Sequence, residues 1–397
     1  MIRRLKNFFH KLLALFVSLY YLSPAKKITI IGITGTDGKT TTSHLLYEIL
    51  KHAGKKVSLI SSVCAIIGDK KYDTGFHVTT PSSFFLQKTL REALQNKQDY
   101  LVLEVTSHAL DQHRIFKIPF KIGILTNITH EHLDYHGDYD SYLQTKAILL
   151  KNSEIAIINR EDSSFTRITE LVKKESKKKI ITYGLKKGDL TQLKLQLKTR
   201  LPGNYNIYNV LAAYGAAKEL LIEESVIRKA ISSFKGVEGR YEEIANDKNI
   251  RIIVDFAHTP NALKQVLETA RKDSFGNVIH VFGCAGLRDY LKRPVMGGIS
   301  KKYSEISIIT EEDYRSENLD EINLSIISGM KRNEDKKEGK HQYFVINNRY
   351  QAIKKAIQIA KKNDTVIITG KGHEKSLCRG KKEYPWSDCQ AVVKALI

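Results

Sequence analysis

Cysteine is scarce and scattered. Cys64, Cys284, Cys378 and Cys389 are the only four in 397 residues, and none stands in C-x-x-C spacing. That excludes a zinc ribbon and a disulfide framework, and it suits a reducing cytoplasm. Long apolar runs are missing too: the charge-free stretch Leu12 to Ala25 falls short of the ~20 residues that a spanning helix needs. There is no internal repeat and no long low-complexity linker. Acidic residues are outnumbered, 43 against 64 Lys and Arg, for a net charge of +21. The lysines are spread along the chain, the densest run, Lys173, Lys174, Lys177, Lys178 and Lys179, has no interleaved aromatics, and no nucleic-acid motif accompanies it, so the charge reads as a solvated surface with no nucleic-acid partner.

What is present is a globular chain long enough for two or three domains. From residue 28 onward short apolar runs alternate with helical patterns. Strands are expected at 28–33, 100–105, 122–126, 155–158, 180–183, 250–255, 278–282, 306–310 and 365–369, an alternation that predicts parallel, doubly wound α/β architecture. A Gly-containing break, Phe234-Lys-Gly-Val-Glu-Gly-Arg240, separates two halves. The expected organisation is a segment 1–27, a central P-loop domain 28–238 built on a doubly wound parallel sheet, and a C-terminal Rossmann-like α/β domain 239–397.

The most informative stretch is the first strand with the loop and helix after it. Ile28 to Ile33 runs into Gly35-Thr36-Asp37-Gly38-Lys39-Thr40-Thr41, then into a helical pattern carrying Leu45, Leu46, Ile49 and Leu50. Strand, glycine-rich loop and helix in that order make a phosphate site. Gly35 and Gly38 let backbone N–H groups converge, Lys39 brings a point charge, and the Thr40 hydroxyl suits Mg²⁺ at the positive end of a helix. The loop is a shortened form of G-x-x-x-x-G-K-[ST], since Ile33 stands where that pattern has its first glycine. The expected ligand is a nucleoside triphosphate.

Glu104 ends a neighbouring strand, the natural position for a second Mg²⁺ ligand. Past the next strand lies a His-rich run with His130, His132 and His136. The absence of a cysteine partner and of H-E-x-x-H order argues against zinc there.

Residues 1–27 place Ile2, Leu5, Phe8, Phe9, Leu12, Leu13 and Phe16 at helical spacing opposite Arg3, Arg4, Lys6 and Lys11. Two readings stand: a basic amphipathic helix on the inner membrane face, with residues 1–24 making the contact, or a helix packed on the protein's own sheet. A secretory signal is disfavoured because a triphosphate site begins immediately afterwards.

Gly35-Thr-Asp-Gly-Lys-Thr-Thr-Thr42, Thr79-Thr80-Pro81, Glu104-Val-Thr-Ser-His-Ala-Leu110 and His132-Leu-Asp-Tyr-His-Gly137 together resemble the Mur ligases of peptidoglycan synthesis, closest to the MurE type. Asn206-Ile-Tyr-Asn209, Gly239-Arg240, Asp255-Phe-Ala-His258, Gly283-Cys-Ala-Gly-Leu-Arg288 and Gly370-Lys-Gly-His-Glu374 continue the resemblance in order to about residue 395.

The resemblance implies an ATP- and Mg²⁺-dependent ligase that activates a carboxylate as an acyl phosphate and joins it to an amine. It implies catalytic roles for Lys39, Glu104, His132 and Lys146. One Mg²⁺ is expected at Thr40 and Glu104, and a second near His132 with Lys146 as its carbamate. Asn206, Asn209, Arg240, Asp255 and His258 are implied for the nucleotide. Thr79, Thr80, Thr106, Gln112 and Arg114 are implied for a muramoyl-L-Ala-D-Glu acceptor.

Arg288, Gly370, Glu374 and the specificity motif Glu312-Asp313-Tyr314-Arg315 are implied for the incoming amino acid. That motif is Asp-Asn-Pro-Arg in diaminopimelate-adding members. Meso-diaminopimelate is the favoured amine, L-lysine or another amino acid the alternative. A monomer is expected, without the family's N-terminal uridine-binding domain, so the acceptor is either UDP-linked or lipid-linked. A folylpolyglutamate-synthase-like ligase, a catalytically dead binding subunit and a nucleic-acid-binding NTPase are the rivals.

Overall fold

A computed structural model describes residues 2–73, 79–129, 131–174, 178–332 and 341–397. His130, part of the rejected zinc reading, lies outside them. Chain contacts divide the protein into two units, Met1–Lys235 and Gly236–Ile397.

The first unit is built on nine strands: β1 (Thr29–Thr34), β2 (Val57–Ile60), β3 (Ala65–Ile67), β4 (Lys70–Tyr72), β5 (Tyr100–Glu104), β6 (Phe120–Leu125), β7 (Ser153–Asn159), β8 (Lys179–Gly184) and β9 (Leu190–Thr191). They lie in the order β4-β3-β2-β5-β1-β6-β7-β8-β9. Pairing is parallel except at one edge, where β2, β3 and β4 form an antiparallel meander. The central strands are buried on both faces because helices cover both, so their sequences are β-branched runs without polar alternation. Ile31, Ile33, Val102, Leu103, Ile122 and Ile124 are fully buried.

The register positions the site. Ile33 pairs with Glu104, and Thr34 with Leu125. The loops after β1, β5 and β6 therefore emerge side by side at the carboxyl edge of the sheet, where such sheets bind ligands.

Six helices matter here: α1 (Ile2–Tyr20), α2 (Lys39–His52), α3 (Ser83–Gln95), α4 (Ser107–Asp111), α5 (Leu133–His136) and α6 (Tyr139–Lys151). Side-chain caps start three of them. Ser82 accepts from Phe85 N, Thr106 from Ala109 N and Asp138 from Ser141 N, each satisfying an otherwise orphaned helix donor.

The second unit carries β10 (Glu242–Glu243), β11 (Arg251–Asp255), β12 (Val278–Phe282), β13 (Ile306–Ile309), β14 (Gln342–Val345) and β15 (Thr365–Thr369) in the order β10-β11-β15-β12-β13-β14. Among these described strands only β10 runs antiparallel to its neighbour. A separate hairpin, β16 (Ser376–Arg379) with β17 (Lys382–Pro385), comes next in the chain. Ile252, Val254, Ile279, Val281, Val366 and Ile368 form the core beneath the helix Arg349–Ile359.

All nine expected strands form, 278–282 and 365–369 with the expected bounds and the others with ends shifted by at most two residues. The strands not foreseen are short or at edges. β4, for example, is Lys-Lys-Tyr with two exposed lysines, a composition that carries no apolar period. No helix among the described residues is long and apolar enough to cross a membrane.

Candidate active site

The loop after β1 turns at Gly35 (φ 150°) and Gly38 (φ 84°), and Lys39 and Thr40 open α2. Gly38 admits no side chain. A Cβ there would lie 2.2 Å from Asn209 Oδ1, in a left-handed conformation that L-residues avoid. Neighbouring segments bolt the loop in place. Asp37 N donates to Asn127 Oδ1 (3.0 Å), Thr126 Oγ1 donates to Asp37 O (2.7 Å), and Thr129 N donates to Thr36 Oγ1 (3.0 Å). Lys39 Nζ folds back onto the loop carbonyls of Gly35 (3.1 Å) and Thr36 (2.8 Å). Thr41 is buried in the first turn of α2.

Glu104 is buried at the end of β5 and gathers three segments. Thr40 Oγ1 donates to its two carboxylate oxygens, 3.1 Å from each. Ser62 donates to it from both N (2.9 Å) and Oγ (3.0 Å). Its main-chain oxygen accepts from Thr80 Oγ1 at 3.0 Å. Ser62, unassigned by sequence reasoning, also forms a hydroxyl–hydroxyl hydrogen bond with Thr79 Oγ1 (3.0 Å), accepting there because its own proton goes to Glu104. The signal was its place just past β2, next to β5 in the sheet.

From Thr80 the contacts run outward. Thr106 N donates to Thr80 Oγ1 (2.9 Å), Arg114 Nη1 donates to Thr80 O (2.8 Å), and Arg114 Nε and Nη2 both reach Gln112 Oε1 (3.0 and 2.7 Å). Gln112 Nε2 donates to Tyr135 OH, which donates to Asp111 Oδ2. Thr79, Thr80, Thr106, Gln112 and Arg114, widely separated in sequence, thus form one polar patch beside the phosphate loop.

Lys146 lies on α6 with its side chain fully enclosed. Nζ donates to Gly35 O at 2.7 Å and sits 4.6 Å from the centre of the Tyr142 ring, one helical turn earlier. Burial, then the Lys39 charge, pushes its pKa well below the ordinary lysine value, against the opposing pull of Asp37 and Glu104. His132 has φ 57°, a conformation uncommon outside glycine. Its ring meets His108 edge-on at 4.9 Å and lies 6.3 Å from Tyr142. Tyr142, not assigned from sequence, therefore borders both His132 and Lys146.

Asn209 Nδ2 donates to Asn206 Oδ1 (3.0 Å), Thr42 Oγ1 donates to Asn209 Oδ1 (3.4 Å), and Asn206 Nδ2 donates to Pro202 O (2.7 Å). Both asparagines are buried, with Asn209 against the phosphate loop.

In the second unit Arg240 stacks on Phe256, 4.4 Å from the ring centre, and its Nη1 donates to His373 Nδ1 (3.0 Å). The Phe256 ring also meets His258 at 4.6 Å. Asp255, at the end of β11, accepts from Tyr241 N (2.7 Å) and Ala257 N (2.6 Å) and so fixes the backbone on either side of this group.

The motif after β13 is tied into the Gly370–Glu374 loop. Lys371 Nζ pairs with Asp313 (2.8 Å) and Glu374 (2.5 Å), and Cys378 N donates to Asp313. Glu312 is buried with its Oε2 facing the Gly370 backbone. Burial, then the neighbouring Asp313 charge, raises its pKa to about 7. Tyr314 N reaches back to Glu312 O (2.7 Å), and Arg315 Nη1 donates to Gly286 O (2.7 Å). Arg288 is exposed two residues past Gly286. Lys371, inside a motif already singled out, is the residue sequence reasoning passed over.

The oxygen donors at Thr40 and Glu104 fit Mg²⁺, a hard cation that prefers carboxylate and hydroxyl oxygen. Among the described residues no His, Cys, Asp and Glu group of three or more is arranged to hold a metal.

Residues 33–217 match the Mur ligase middle domain and residues 239–372 the Mur ligase, glutamate ligase domain. The UDP-N-acetylmuramoyl-L-alanyl-D-glutamate–2,6-diaminopimelate ligase 1 of Clostridium acetobutylicum is 38% identical over 403 residues, covering 96% of this chain and 81% of its own. A solved structure of a UDP-N-acetylmuramoyl-L-alanyl-D-glutamate–2,6-diaminopimelate ligase is 27% identical, with a TM-score of 0.62 over 93% of this chain and 78% of the other. Folylpolyglutamate synthase of Mycobacterium tuberculosis, 14% identical, has a TM-score of 0.69 over 89% and 91% of the two chains. That last likeness is one of fold alone.

Proposed function

Because the chain belongs to the Mur ligase family of ATP-dependent ligases, we propose that it joins meso-diaminopimelate to the D-glutamyl carboxylate of a muramoyl-L-Ala-D-Glu acceptor in building a peptidoglycan precursor. The acceptor and the amine come from the names of its relatives. The observation that carries the reading is Glu104: its carboxylate belongs to the phosphate loop through Thr40, and its carbonyl holds Thr80 of the polar patch. One residue thus binds together the place for a triphosphate's end and the place for an acid.

In the first step the acceptor carboxylate takes the γ-phosphoryl group of ATP, giving an acyl phosphate and ADP. In the second the amine attacks the acyl carbon, phosphate leaves, and the nitrogen loses a proton to form the amide. The backbone N–H groups of Gly38, Lys39 and Thr40, at the start of α2, and the Lys39 ammonium bind the phosphates, while Thr36 N and Asp37 N hold the loop to Asn127, and Arg114 with Thr79, Thr80, Thr106 and Gln112 orients the acceptor. Thr40 and Glu104 would hold one Mg²⁺, and His132 with the carbamate of Lys146 a second. Bound there, the ions offset the charge of the meeting anions. The low pKa of Lys146 favours the neutral amine, the form that adds CO₂. The strained backbone at His132 is the kind of feature that functional sites retain.

Asn206 and Asn209 support the phosphate loop on the nucleotide's side. In the second unit Arg240 and His258 are assigned to anionic nucleotide groups, with Asp255 positioning the backbone that bears them. Arg288 and Arg315 suit the carboxylates of the amino acid, and Glu312 its ammonium together with Glu374, which like Asp313 also pairs with Lys371, with Gly370 giving close backbone approach. A need for ATP suits an enzyme of the cytoplasm.

The test is phosphate release from ATP with a muramyl-dipeptide acceptor and a panel of amino acids, products read by mass. The expected result is release that requires both substrates and is fastest with meso-diaminopimelate. Release indifferent to the acceptor, or addition of glutamate to a folate, overturns the reading.

A further inference from the structure

Helix α1 is turned inside out for a surface helix. Its inward face is small: Ala14, Val17 and Ser18 are buried, and the helix packs against α3. Its large apolar residues point away. Leu5, Phe9, Leu12, Leu13, Phe16 and Leu19 are 46–67% exposed, whereas an amphipathic helix ordinarily buries that stripe. At 3.6 residues per turn they share one side of the helix, and the exposed Lys6 and Lys11 fall on its opposite borders. The patch continues onto α3, where Phe84 is 53% exposed and meets the Tyr21 ring edge-on at 5.6 Å. Beyond it stand the exposed Lys26 and Lys27, and the sequence adds Arg3 and Arg4 to the same helix. No Asp or Glu lies between Met1 and Ile33.

We propose that this face docks the enzyme on an anionic lipid bilayer, the aromatic and leucine side chains entering the acyl boundary while the flanking lysines reach the headgroups. Charge decides the occupant. An apolar stripe bordered by lysines on both sides, in a segment that carries no acid of its own, fits a surface that is apolar below and negative above. The docked helix is moored to the polar patch of the same unit, for Asn7 Nδ2 donates to Asp111 Oδ2 (3.0 Å), the carboxylate oxygen that also accepts from Tyr135. Gln112 follows it directly in the chain, and Arg114 stands three residues on. The inference is independent of the proposed ligase substrates, since lipid binding is read without them.

The experiment is flotation of the full chain with phosphatidylcholine vesicles, with and without phosphatidylglycerol, at low and high salt. The chain is expected to float with the anionic vesicles at low salt and to be released by high salt. Phe9→Ser with Phe16→Ser should lower partitioning by roughly tenfold or more. Lys6→Gln with Lys11→Gln should lower it roughly fivefold per lysine on anionic vesicles, leaving neutral ones unaffected. Lys6 is exposed and Lys11 rests its Nζ 5.0 Å from the centre of the Phe116 ring, an exposed contact worth about 0.5–1 kcal/mol, so the lysine pair keeps the test intact should the phenylalanine pair misfold by circular dichroism. A chain that stays unbound at low salt overturns the proposal, as does equal binding by the lysine variant. A dimer seen by light scattering without vesicle binding also overturns it and makes the face a self-interface.

Discussion

Lys146 Nζ donates to the carbonyl oxygen of Gly35 across 2.7 Å, linking the middle of α6 to the first residue of the phosphate loop. A buried lysine with a lowered pKa charges more readily in the unfolded chain, so it weighs against folding at low pH. That penalty fades as pH rises from its lowered folded value toward the ordinary 10.5. Lys146→Met, which cannot titrate, is therefore expected to gain on the native protein as pH falls, in CO₂-free buffer by chemical denaturation. The same variant should lose ligase activity by roughly a hundredfold or more, the upper end of what disturbing a metal site costs. Labelled bicarbonate should place one carbamate carbon in the native protein and none in the variant.

Glu104 brings its carboxylate against the Thr40 hydroxyl. Glu104→Gln keeps the shape and removes the charge. The Mg²⁺ concentration for half-maximal rate is expected to rise by roughly 10–100-fold, measured by Mg²⁺ titration at saturating ATP. An unchanged midpoint would place the ion elsewhere.

The positions of the nine main strands, the phosphate loop and the acidic strand end were legible because each rests on a local rule: a β-branched run, two glycines before a lysine, a carboxylate at a strand terminus. Ser62, Tyr142 and Lys371 were not, because their roles come from register and burial. Ser62 reaches Glu104 only since β2 pairs with β5. Lys371 reads as one more lysine until Asp313 and Glu374 are seen on either side of it. The orientation of α1 was undecided for the same reason, since its spacing fits a stripe turned inward or outward alike.

Glu312 is buried with a pKa raised to about 7, and its Oε2 has no hydrogen-bond partner among the described residues. An acid whose folded pKa lies above its unfolded one loses stability as pH climbs from the unfolded value to the folded one, because the native state must give up a proton it holds tightly. Glu312→Gln is thus expected to match the native protein near pH 4.5 and to exceed it by up to about 3 kcal/mol above pH 7. Urea midpoints across that range provide the check.

Arg349 and Asp388 form a pair with no exposed side-chain surface, joined by Nε to Oδ1 and Nη2 to Oδ2, both at 2.7 Å. Nη2 also donates to Thr369 O, and Trp386 Nε1 to Asp388 Oδ1. Removing one partner strands a buried charge, at a cost of about 3–5 kcal/mol, whereas replacing both with apolar groups of like volume restores much of it. Asp388→Leu alone should therefore lower the urea midpoint far more than Arg349→Met with Asp388→Leu together. The double change still takes one hydrogen bond each from the Trp386 N–H and from the Thr369 and Glu311 carbonyls, so it should remain below the native protein. A double variant as unstable as the single one would mean that the stability lost lies in those three bonds and not in the charge pair.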